Sequence, residues 1–147
     1  LLYSSGGHNS PVVVRKDGTC ELLEAGGLPL GAFDFGTYDE GTVRLDDGDL
    51  LILYTDGLTE TKDPHGDEEY GEERMNALLK EKKTENLDRL FAAVRRELHE
   101  FSGRKDAEDD ITMVGLKIVL EDRPAAAEMG AQESGVQEEK VFPETQQ

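Results

Sequence analysis

The sequence predicts an α+β fold, in which helices pack on a largely antiparallel sheet. Three observations indicate this: a hairpin signal near the start, an apolar run bounded by turn residues near the middle, and two amphipathic helix patterns after it. Strands that come first, followed by helices and one last strand, are typical of α+β rather than alternating α/β architecture. At 147 residues, the chain has the length of a single domain.

The first two strands are predicted to form a β-hairpin. A β-branched run at 12–14 and a second strand-like run at 19–23 flank the pair Asp17-Gly18. Asp and Gly tolerate the positive φ angles of tight hairpin turns, so this pair is a strong hairpin signal. Residues 37–45 have mixed polarity and form a weaker strand candidate.

Two further strands are predicted later in the chain. Residues 50–54 form an unbroken apolar run that directly follows the acidic turn 46–49. A short run of this kind favours a strand covered on both faces. Residues 111–120 alternate in polarity well enough for a last strand.

Two helices are predicted between these strands. An apolar stripe crosses residues 71–83, and a stronger one at i, i+3, i+4 and i+7 spacing crosses 87–101. The second helix has a cap at Asn86 or Thr84 and a stop at Gly103, because Gly readily adopts the left-handed conformation that ends helices.

The composition excludes several classes of partner. The chain carries 33 acidic against 16 basic residues and a formal net charge of -17. Such a charge repels phosphate backbones and anionic lipid, so we expect neither nucleic acid nor a membrane surface as a partner. No segment approaches the roughly 18 consecutive apolar residues of a membrane helix. The single cysteine, Cys20, is typical of a reducing compartment, and we expect a cytoplasmic protein.

The last 27 residues differ in composition from the rest. Residues 121–147 hold seven acidic and two basic residues and show no sustained periodicity. Low hydrophobicity and high charge cannot offset the entropy of ordering, so we predict an acidic disordered tail at 121–147 and a folded part at 1–120. A short amphipathic helix that docks on a partner is the alternative for this segment.

Acidic residues stand at the ends of two predicted strands. Asp56-Gly57 follows the strand at 50–54, and Asp109-Asp110 precedes the strand at 111–120. If these strands are antiparallel neighbours, Asp56 and Asp109 converge on one rim of the sheet. Carboxylates brought together attract a cation, and hard oxygen ligands suit Mg²⁺ or Mn²⁺. The alternative is that both pairs are turn formers with solvated charges.

Several strings resemble motifs of the metal-dependent protein phosphatases (the PPM, or protein phosphatase 2C-like, family), and more closely its bacterial SpoIIE/RsbU branch. They occur in that branch's order over most of the chain, and together they are far more specific than any one of them. The matching strings are residues 5–11 (Ser-Gly-Gly-His-Asn-Ser-Pro), 27–31 (Gly-Leu-Pro-Leu-Gly), 47–50 (Asp-Gly-Asp-Leu), 54–60 (Tyr-Thr-Asp-Gly-Leu-Thr-Glu), 63–66 and then 70–74, which resemble the variable flap and the first helix after the aspartate, and 109–112 (Asp-Asp-Ile-Thr).

This resemblance implies a partial α-β-β-α sandwich of antiparallel sheets and a role for each matched residue. Asp56 and Asp109 would be ligands of a binuclear Mn²⁺ or Mg²⁺ centre. Gly57 would let the backbone pass close to that centre, and Asp110 would lie behind the ligands and support them without binding the metal itself. No side chain acts as the nucleophile in this family, since metal-bound water does. His8 and Asn9 would lie near the phosphate.

The resemblance also implies a function and a gap. The function is hydrolysis of phosphoserine or phosphothreonine on a protein, in this branch usually an anti-sigma-factor antagonist in bacterial signalling, with a sensor domain upstream. The family's first acidic motif, which supplies a bridging carboxylate, has no match in the chain. We therefore expect the chain to cover roughly the C-terminal two-thirds of such a domain and to be a poor phosphatase alone. The alternative is a truncated, non-catalytic regulatory or interaction module.

Overall fold

A four-stranded antiparallel sheet lies at the centre of the computed structural model, which describes residues 1–103 and 110–120. The predicted tail at 121–147 and Asp109 lie outside the described residues. The elements, in chain order, are β1 (Leu2–Tyr3), β2 (Ser5–Gly6), β3 (Val12–Val14), β4 (Cys20–Leu22), β5 (Gly26–Gly27), β6 (Gly41–Thr42), β7 (Leu50–Tyr54), α1 (Asp56–Thr59), α2 (Gly71–Lys82), α3 (Leu87–Ser102) and β8 (Met113–Lys117).

The predicted hairpin is confirmed as β3 and β4. The two strands pair antiparallel, and Val14 lies opposite Cys20 at the turn. The N–H of Thr19 bonds Asp17 Oδ1 at 2.8 Å, and Gly18 has a φ of 94°. Only the glycine of the Asp-Gly pair adopts a positive φ, because the loop between the strands is longer than two residues.

Strand β7 is confirmed over the predicted residues, and it is covered on both faces. It pairs antiparallel with β3 on one side and with β8 on the other. One face of the sheet packs against α2 and α3, and the other packs against a layer that contains Tyr3 and Val43. Burial of each large aliphatic side chain in these two cores stabilises the fold by about 1.5–3 kcal/mol. The core side chains contributed by β3 and β7 alternate between the faces, with Val12, Val14, Leu50, Ile52 and Tyr54 on the helical side and Val13 and Leu51 on the other.

The two long helices begin and end close to the predicted residues. The side chain of Asn86 caps α3 by accepting a hydrogen bond from the N–H of Arg89 at 2.9 Å. Gly103 ends the same helix in the left-handed conformation, with a φ of 62°. Neither of these helices, nor any other in the described part of the chain, is long and apolar enough to cross a membrane.

The structure differs from the sequence prediction in three short segments. The weak strand predicted at 37–45 is observed only as β6, which pairs with β1. The last strand, predicted at 111–120, is observed only at Met113–Lys117. Strands β2 and β5 pair in parallel, within a fold that is otherwise antiparallel. Gly26 is required there, because a Cβ atom on it would lie 2.3 Å from the carbonyl oxygen of Ser5. The predicted α+β class is confirmed by the mixture of helices and antiparallel sheet.

Candidate functional site

The end of β7 and the beginning of β8 form one rim of the central sheet. The two strands pair antiparallel, with Tyr54 opposite Met113. The residues that follow Tyr54 therefore lie beside the residues that precede Met113. This confirms the strand arrangement that the predicted convergence of Asp56 and Asp109 requires.

Asp56 stands on this rim as the first residue of α1, a single helical turn in place of the predicted loop turn. Its side chain is exposed, and Oδ1 accepts a hydrogen bond from the N–H of Gly57 at 3.0 Å. Gly57 and Leu58 are buried directly behind it. The turn is fastened to the following loop, because the Thr61 hydroxyl donates to the Gly57 carbonyl at 2.7 Å. An exposed carboxylate thus stands on a backbone that is held in place.

Thr55 joins the two sides of the rim, a role that sequence reasoning missed. Its N–H donates to the carbonyl of Thr112 at 3.1 Å, which extends the strand pairing by one residue. Its hydroxyl donates to the carbonyl of Asp110 at 2.9 Å and accepts from the N–H of Thr112 at 3.0 Å. The signal available in the sequence was a threonine near each acidic segment, with Thr55 directly before Asp56 and Thr112 two residues after Asp110.

The predicted metal ligands are only partly covered by the structure. Asp56 and Asp110 are exposed on the rim, whereas Asp109 falls outside the described residues. Carboxylate oxygens at an open rim are the donors that Mg²⁺ and Mn²⁺ prefer, so the chemical type of these donor atoms suits a hard divalent cation. Among residues 1–103 and 110–120, no group of three or more His, Cys, Asp or Glu side chains is arranged to hold a metal. The roles of Asp56, Asp109, Gly57 and Asp110 at a metal remain predictions.

His8 and Asn9 lie in an exposed loop that packs on a second matched string. The His8 Nδ1 atom lies 2.9 Å from the Asn9 carbonyl oxygen, and the Ser5 hydroxyl donates to the His8 carbonyl at 3.1 Å. Gly7 has a φ of 82°, and a Cβ atom on it would lie 2.6 Å from Cα of Pro29. The strings at 5–11 and 27–31 therefore pack together. The hydrogen bonds described for His8 remain within its own loop, so its approach to a phosphate stays a prediction.

The opposite end of β7 carries a second aspartate, Asp49, in a very different setting. It is 2% exposed, and its carboxylate accepts hydrogen bonds from Arg15 Nη1 at 2.7 Å, the N–H of Asp46 at 3.0 Å and the N–H of Lys16 at 3.2 Å. Burial alone would raise the pKa of Asp49, but these hydrogen bonds and the Arg15 charge outweigh it and hold the pKa below its ordinary value. Sequence reasoning placed this residue in a turn and in the matched string at 47–50, and gave it no role in the fold.

Two buried tyrosines support the rim from the helical side. The Tyr54 hydroxyl donates to Glu72 Oε1 at 3.2 Å, and the Tyr70 hydroxyl donates to Glu97 Oε1 at 2.8 Å. Burial, together with the adjacent Glu72 charge, raises the pKa of Tyr54 to about 12. Burial beside Glu97 likewise raises the pKa of Tyr70. Both hydroxyls are therefore neutral donors that join the sheet and the 61–70 loop to the helices.

The loop at 61–70, predicted as a variable flap, is a small ordered hairpin. Asp63 Oδ1 accepts hydrogen bonds from the N–H groups of Asp67 at 2.8 Å and Glu68 at 3.3 Å. Arg74 of α2 donates to Glu68 Oε1 at 2.7 Å and to the Tyr70 carbonyl at 3.1 Å. These hydrogen bonds hold the acidic loop to itself and to α2.

Comparisons with known proteins bear on this site. The family model described as "Stage II sporulation protein E (SpoIIE)" matches residues 1–119. Protein IcfG of Synechocystis sp. (strain ATCC 27184 / PCC 6803 / Kazusa) is 29% identical over 119 residues, which are 79% of this chain and 18% of IcfG. Phosphoserine phosphatase RsbU of Bacillus subtilis (strain 168) is 37% identical over 65 residues, which are 44% of this chain and 19% of RsbU.

A solved structure shows the same fold. The SiaA-PP2C domain of Pseudomonas aeruginosa superposes with a TM-score of 0.63 at 25% identity, and the match covers 76% of this chain and 44% of that one. The chain spans about a fifth of the length of the two curated relatives. Similarity in sequence and similarity in fold thus lead to the same group of proteins.

Proposed function

This chain belongs to the SpoIIE family, within the PPM group of phosphatases, and on that premise we propose that it works as part of a metal-dependent protein serine/threonine phosphatase. Residues 1–120 would form the C-terminal portion of the phosphatase domain, and 121–147 an acidic tail. The observation that carries the proposal is Asp56, an exposed carboxylate at the sheet rim where β7 ends and β8 begins.

The chain's own residues have defined tasks in this proposal. Asp56 and Asp109 would hold Mn²⁺ or Mg²⁺, with Asp110 and Gly57 beside them. A bound divalent cation neutralises charge on phosphoryl oxygens and lowers the pKa of a coordinated water. The bond from the Gly57 N–H to Asp56 Oδ1 orients the carboxylate. His8 and Asn9 would approach the phosphate from the loop that packs on 27–31. No nucleophilic side chain is needed.

The proposed substrate is a phosphorylated protein in bacterial signalling. RsbU, the relative named as a phosphoserine phosphatase, supports phosphoserine as a substrate group. An anti-sigma-factor antagonist is the specific candidate, with a sensor domain upstream of the phosphatase domain. The proposed compartment is the cytoplasm, in keeping with a single cysteine, Cys20.

Hydrolysis of phosphoserine and phosphothreonine peptides by the full-length gene product tests the proposal. We expect turnover with Mn²⁺ or Mg²⁺, none with a chelator, and none in Asp56→Ala. Asp39→Ala, which removes an exposed carboxylate from another loop, is the matched control and should keep wild-type turnover. Turnover that persists in the chelator or in Asp56→Ala would refute the proposal.

A second candidate is a non-catalytic interaction module formed by this part of the chain. It is favoured by the lack of a match to the family's first acidic motif in the chain. The assay of the full-length gene product separates the two candidates, because an interaction module gives no turnover with Mn²⁺ or Mg²⁺. We expect poor turnover from the chain alone, and robust turnover that disappears in Asp56→Ala would contradict this expectation.

A further inference from the structure

Residues 28–38, the apolar loop, expose five large apolar side chains to solvent. They are Leu28, Leu30, Phe33, Phe35 and Tyr38, and the most exposed of them are Leu30 at 76% and Phe35 at 75%. The rings of Phe33 and Phe35 lie against each other, with their centroids 5.3 Å apart. Single apolar side chains on a surface are ordinary, whereas a cluster of them is typical of an interaction surface.

The backbone of the apolar loop is held at its base. Gly27 and Tyr38 form an antiparallel bridge, and the N–H of Asp39 donates to the carbonyl of Gly26 at 3.1 Å. A loop that is already held loses less conformational freedom when a partner binds, so more of the free energy of burying its side chains contributes to affinity.

The apolar loop also packs on the segment that carries His8. The N–H of Leu30 donates to the carbonyl of Gly6 at 3.3 Å, and a Cβ atom on Gly7 would lie 2.6 Å from Cα of Pro29. His8 follows directly and is exposed. In the proposed function His8 approaches the phosphate, so a protein whose phosphoserine is bound there would also contact the apolar loop.

The charges around the apolar loop have one sign. Every charged residue between positions 22 and 43 is acidic, and all of them are exposed: Glu24, Asp34, Asp39 and Glu40. Such a surface repels anionic lipid and complements a protein segment that carries basic side chains beside apolar ones. Charge therefore favours a protein with Lys or Arg at the contact over a membrane surface.

We propose that the apolar loop is a docking surface for the phosphoprotein substrate and contacts apolar and basic side chains that flank its phosphoserine. This inference rests on the proposed function, because it names the kind of substrate segment that the same site accepts. The exposed rings of Phe33 and Phe35 supply the affinity, since buried aromatic anchors dominate protein interfaces. Asp34, between them in the chain, selects for positive charge.

Three probes of the full-length protein with Mn²⁺ test the proposal. One synthetic phosphoserine peptide has leucine and lysine on both sides of the phosphoserine, and a second has serine and glutamate at the same positions. The third probe is p-nitrophenyl phosphate, which has no flanking residues. Binding is measured separately from turnover, by the fluorescence anisotropy of the labelled leucine-lysine peptide without its phosphate.

Two changes in the apolar loop are compared with a control. Phe33→Ser combined with Phe35→Ser removes both exposed rings, and Asp34→Lys reverses the charge between them. Val119→Ser is the matched control, because Val119 is 74% exposed but lies after β8, at the Asp49 end of the sheet.

We expect wild-type kcat/KM to favour the leucine-lysine peptide by about 10-fold or more, and the combined variant to lose this preference through a higher KM. The same variant should bind the labelled peptide about 10-fold more weakly and keep turnover of p-nitrophenyl phosphate within about twofold of wild type. Asp34→Lys should reduce the preference by about threefold, because a charge at the rim of an interface contributes modestly. Val119→Ser should behave as wild type.

The outcomes separate this inference from the proposed function. Equal kcat/KM for the two peptides in wild type, or a preference that the combined variant retains, would overturn the docking surface and leave the phosphatase assignment intact. If no probe is turned over, the phosphatase assignment is refuted, and anisotropy then decides on the loop. Peptide binding that is lost in the combined variant would support recognition by the loop, whereas absent or unchanged binding would overturn it.

Other occupants of the apolar loop give different results. If another segment of the full-length protein covers it, the combined variant should unfold at a lower temperature and leave both peptides unaffected. If a second copy covers it, wild type should be a dimer that the combined variant converts to a monomer. Either result would overturn the docking of a substrate.

Discussion

The two ends of strand β7 carry aspartates with opposite settings. Asp49, before the strand, is 2% exposed and is bonded by a guanidinium and two backbone N–H groups. Asp56, after the strand, is exposed, and the hydrogen bond described for its carboxylate comes from the N–H of its neighbour Gly57. A carboxylate occupied by hydrogen-bond donors thus lies at one end of the five-residue strand Leu50–Tyr54, and a carboxylate accessible to a ligand lies at the other.

This difference shows how two similar acidic turns can serve different purposes. A buried carboxylate must be paired and hydrogen-bonded, because its desolvation is otherwise too costly, so Asp49 is committed to the fold. An exposed carboxylate retains its hydration and can exchange water for a cation. We therefore expect substitutions at Asp49 to change stability and substitutions at Asp56 to change activity.

The largest expected effect is on stability, in Asp49→Ala. Removal of this carboxylate leaves Arg15 without its buried partner and two N–H groups without an acceptor, so the free energy of unfolding should fall by about 3–5 kcal/mol. Urea denaturation measures the change. Asp46→Ala in the same turn removes an exposed ion pair with Arg44 and should change stability by less than about 1 kcal/mol. Equal effects of the two substitutions would contradict the structural role of Asp49.

The next effect is on catalysis, in Asp56→Ala. Turnover of the full-length protein with Mn²⁺ should fall by more than about 100-fold, or about 2.7 kcal/mol of activation free energy, because Asp56 is proposed as a metal ligand and even the groups around a ligand contribute up to about 100-fold. The free energy of unfolding should stay within about 0.5 kcal/mol of wild type, since the side chain is exposed. A large loss of stability with turnover retained would reverse the comparison between the two aspartates.

A smaller effect is expected in the pH dependence of stability. The folded-state pKa of Asp49 lies below its unfolded value of about 3.9, so the charged carboxylate stabilises the fold above that pH. This contribution is lost as the pH falls through the folded-state pKa. The difference in unfolding free energy between wild type and Asp49→Asn should be constant from about pH 7 to 5 and shrink below about pH 4. A difference that grows with acidification would show that the pKa is raised instead.

The smallest effect is expected from Tyr54→Phe, at the inner side of the Asp56 rim. It removes the hydrogen bond to Glu72 Oε1 and should lower the free energy of unfolding by about 1 kcal/mol. Thermal unfolding measures the change, and Tyr38→Phe, an exposed tyrosine, is the control. A loss as large as that of Asp49→Ala would mean that the two ends of β7 contribute equally to stability.

Local sequence patterns predicted most of the fold. Strand β7 and the end of α3 at Gly103 follow from an apolar run and from helical periodicity with a glycine stop. These signals are local, because burial of a face and the ending of a helix depend on neighbours in sequence. The short strands β2 and β5 were not predicted, and the strand predicted at 37–45 is only the two residues of β6, since two-residue pairings depend on contacts between distant segments.

The sequence predicted acidic residues at this rim of the sheet, but not the contacts that hold the rim together. The pattern of acidic pairs at strand ends selected Asp56 and Asp110, and both stand on the rim. The bridging hydroxyl of Thr55 joins positions 55 residues apart, and the Arg15–Asp49 pair joins positions 34 apart. No local pattern identifies such partners.

The sequence by itself determined the fold class, the buried central strand and the family to which the chain belongs, because apolar periodicity and ordered motifs are properties of the chain's linear order. Only the tertiary structure decided which aspartate beside β7 is buried and saturated and which is exposed. The physical reason is that the cost of burying a charge depends on the donors that surround it in space. The two acidic turns are similar in sequence but lie in different environments. At one end of the strand a guanidinium and backbone N–H groups surround the carboxylate, and at the other end the carboxylate faces solvent.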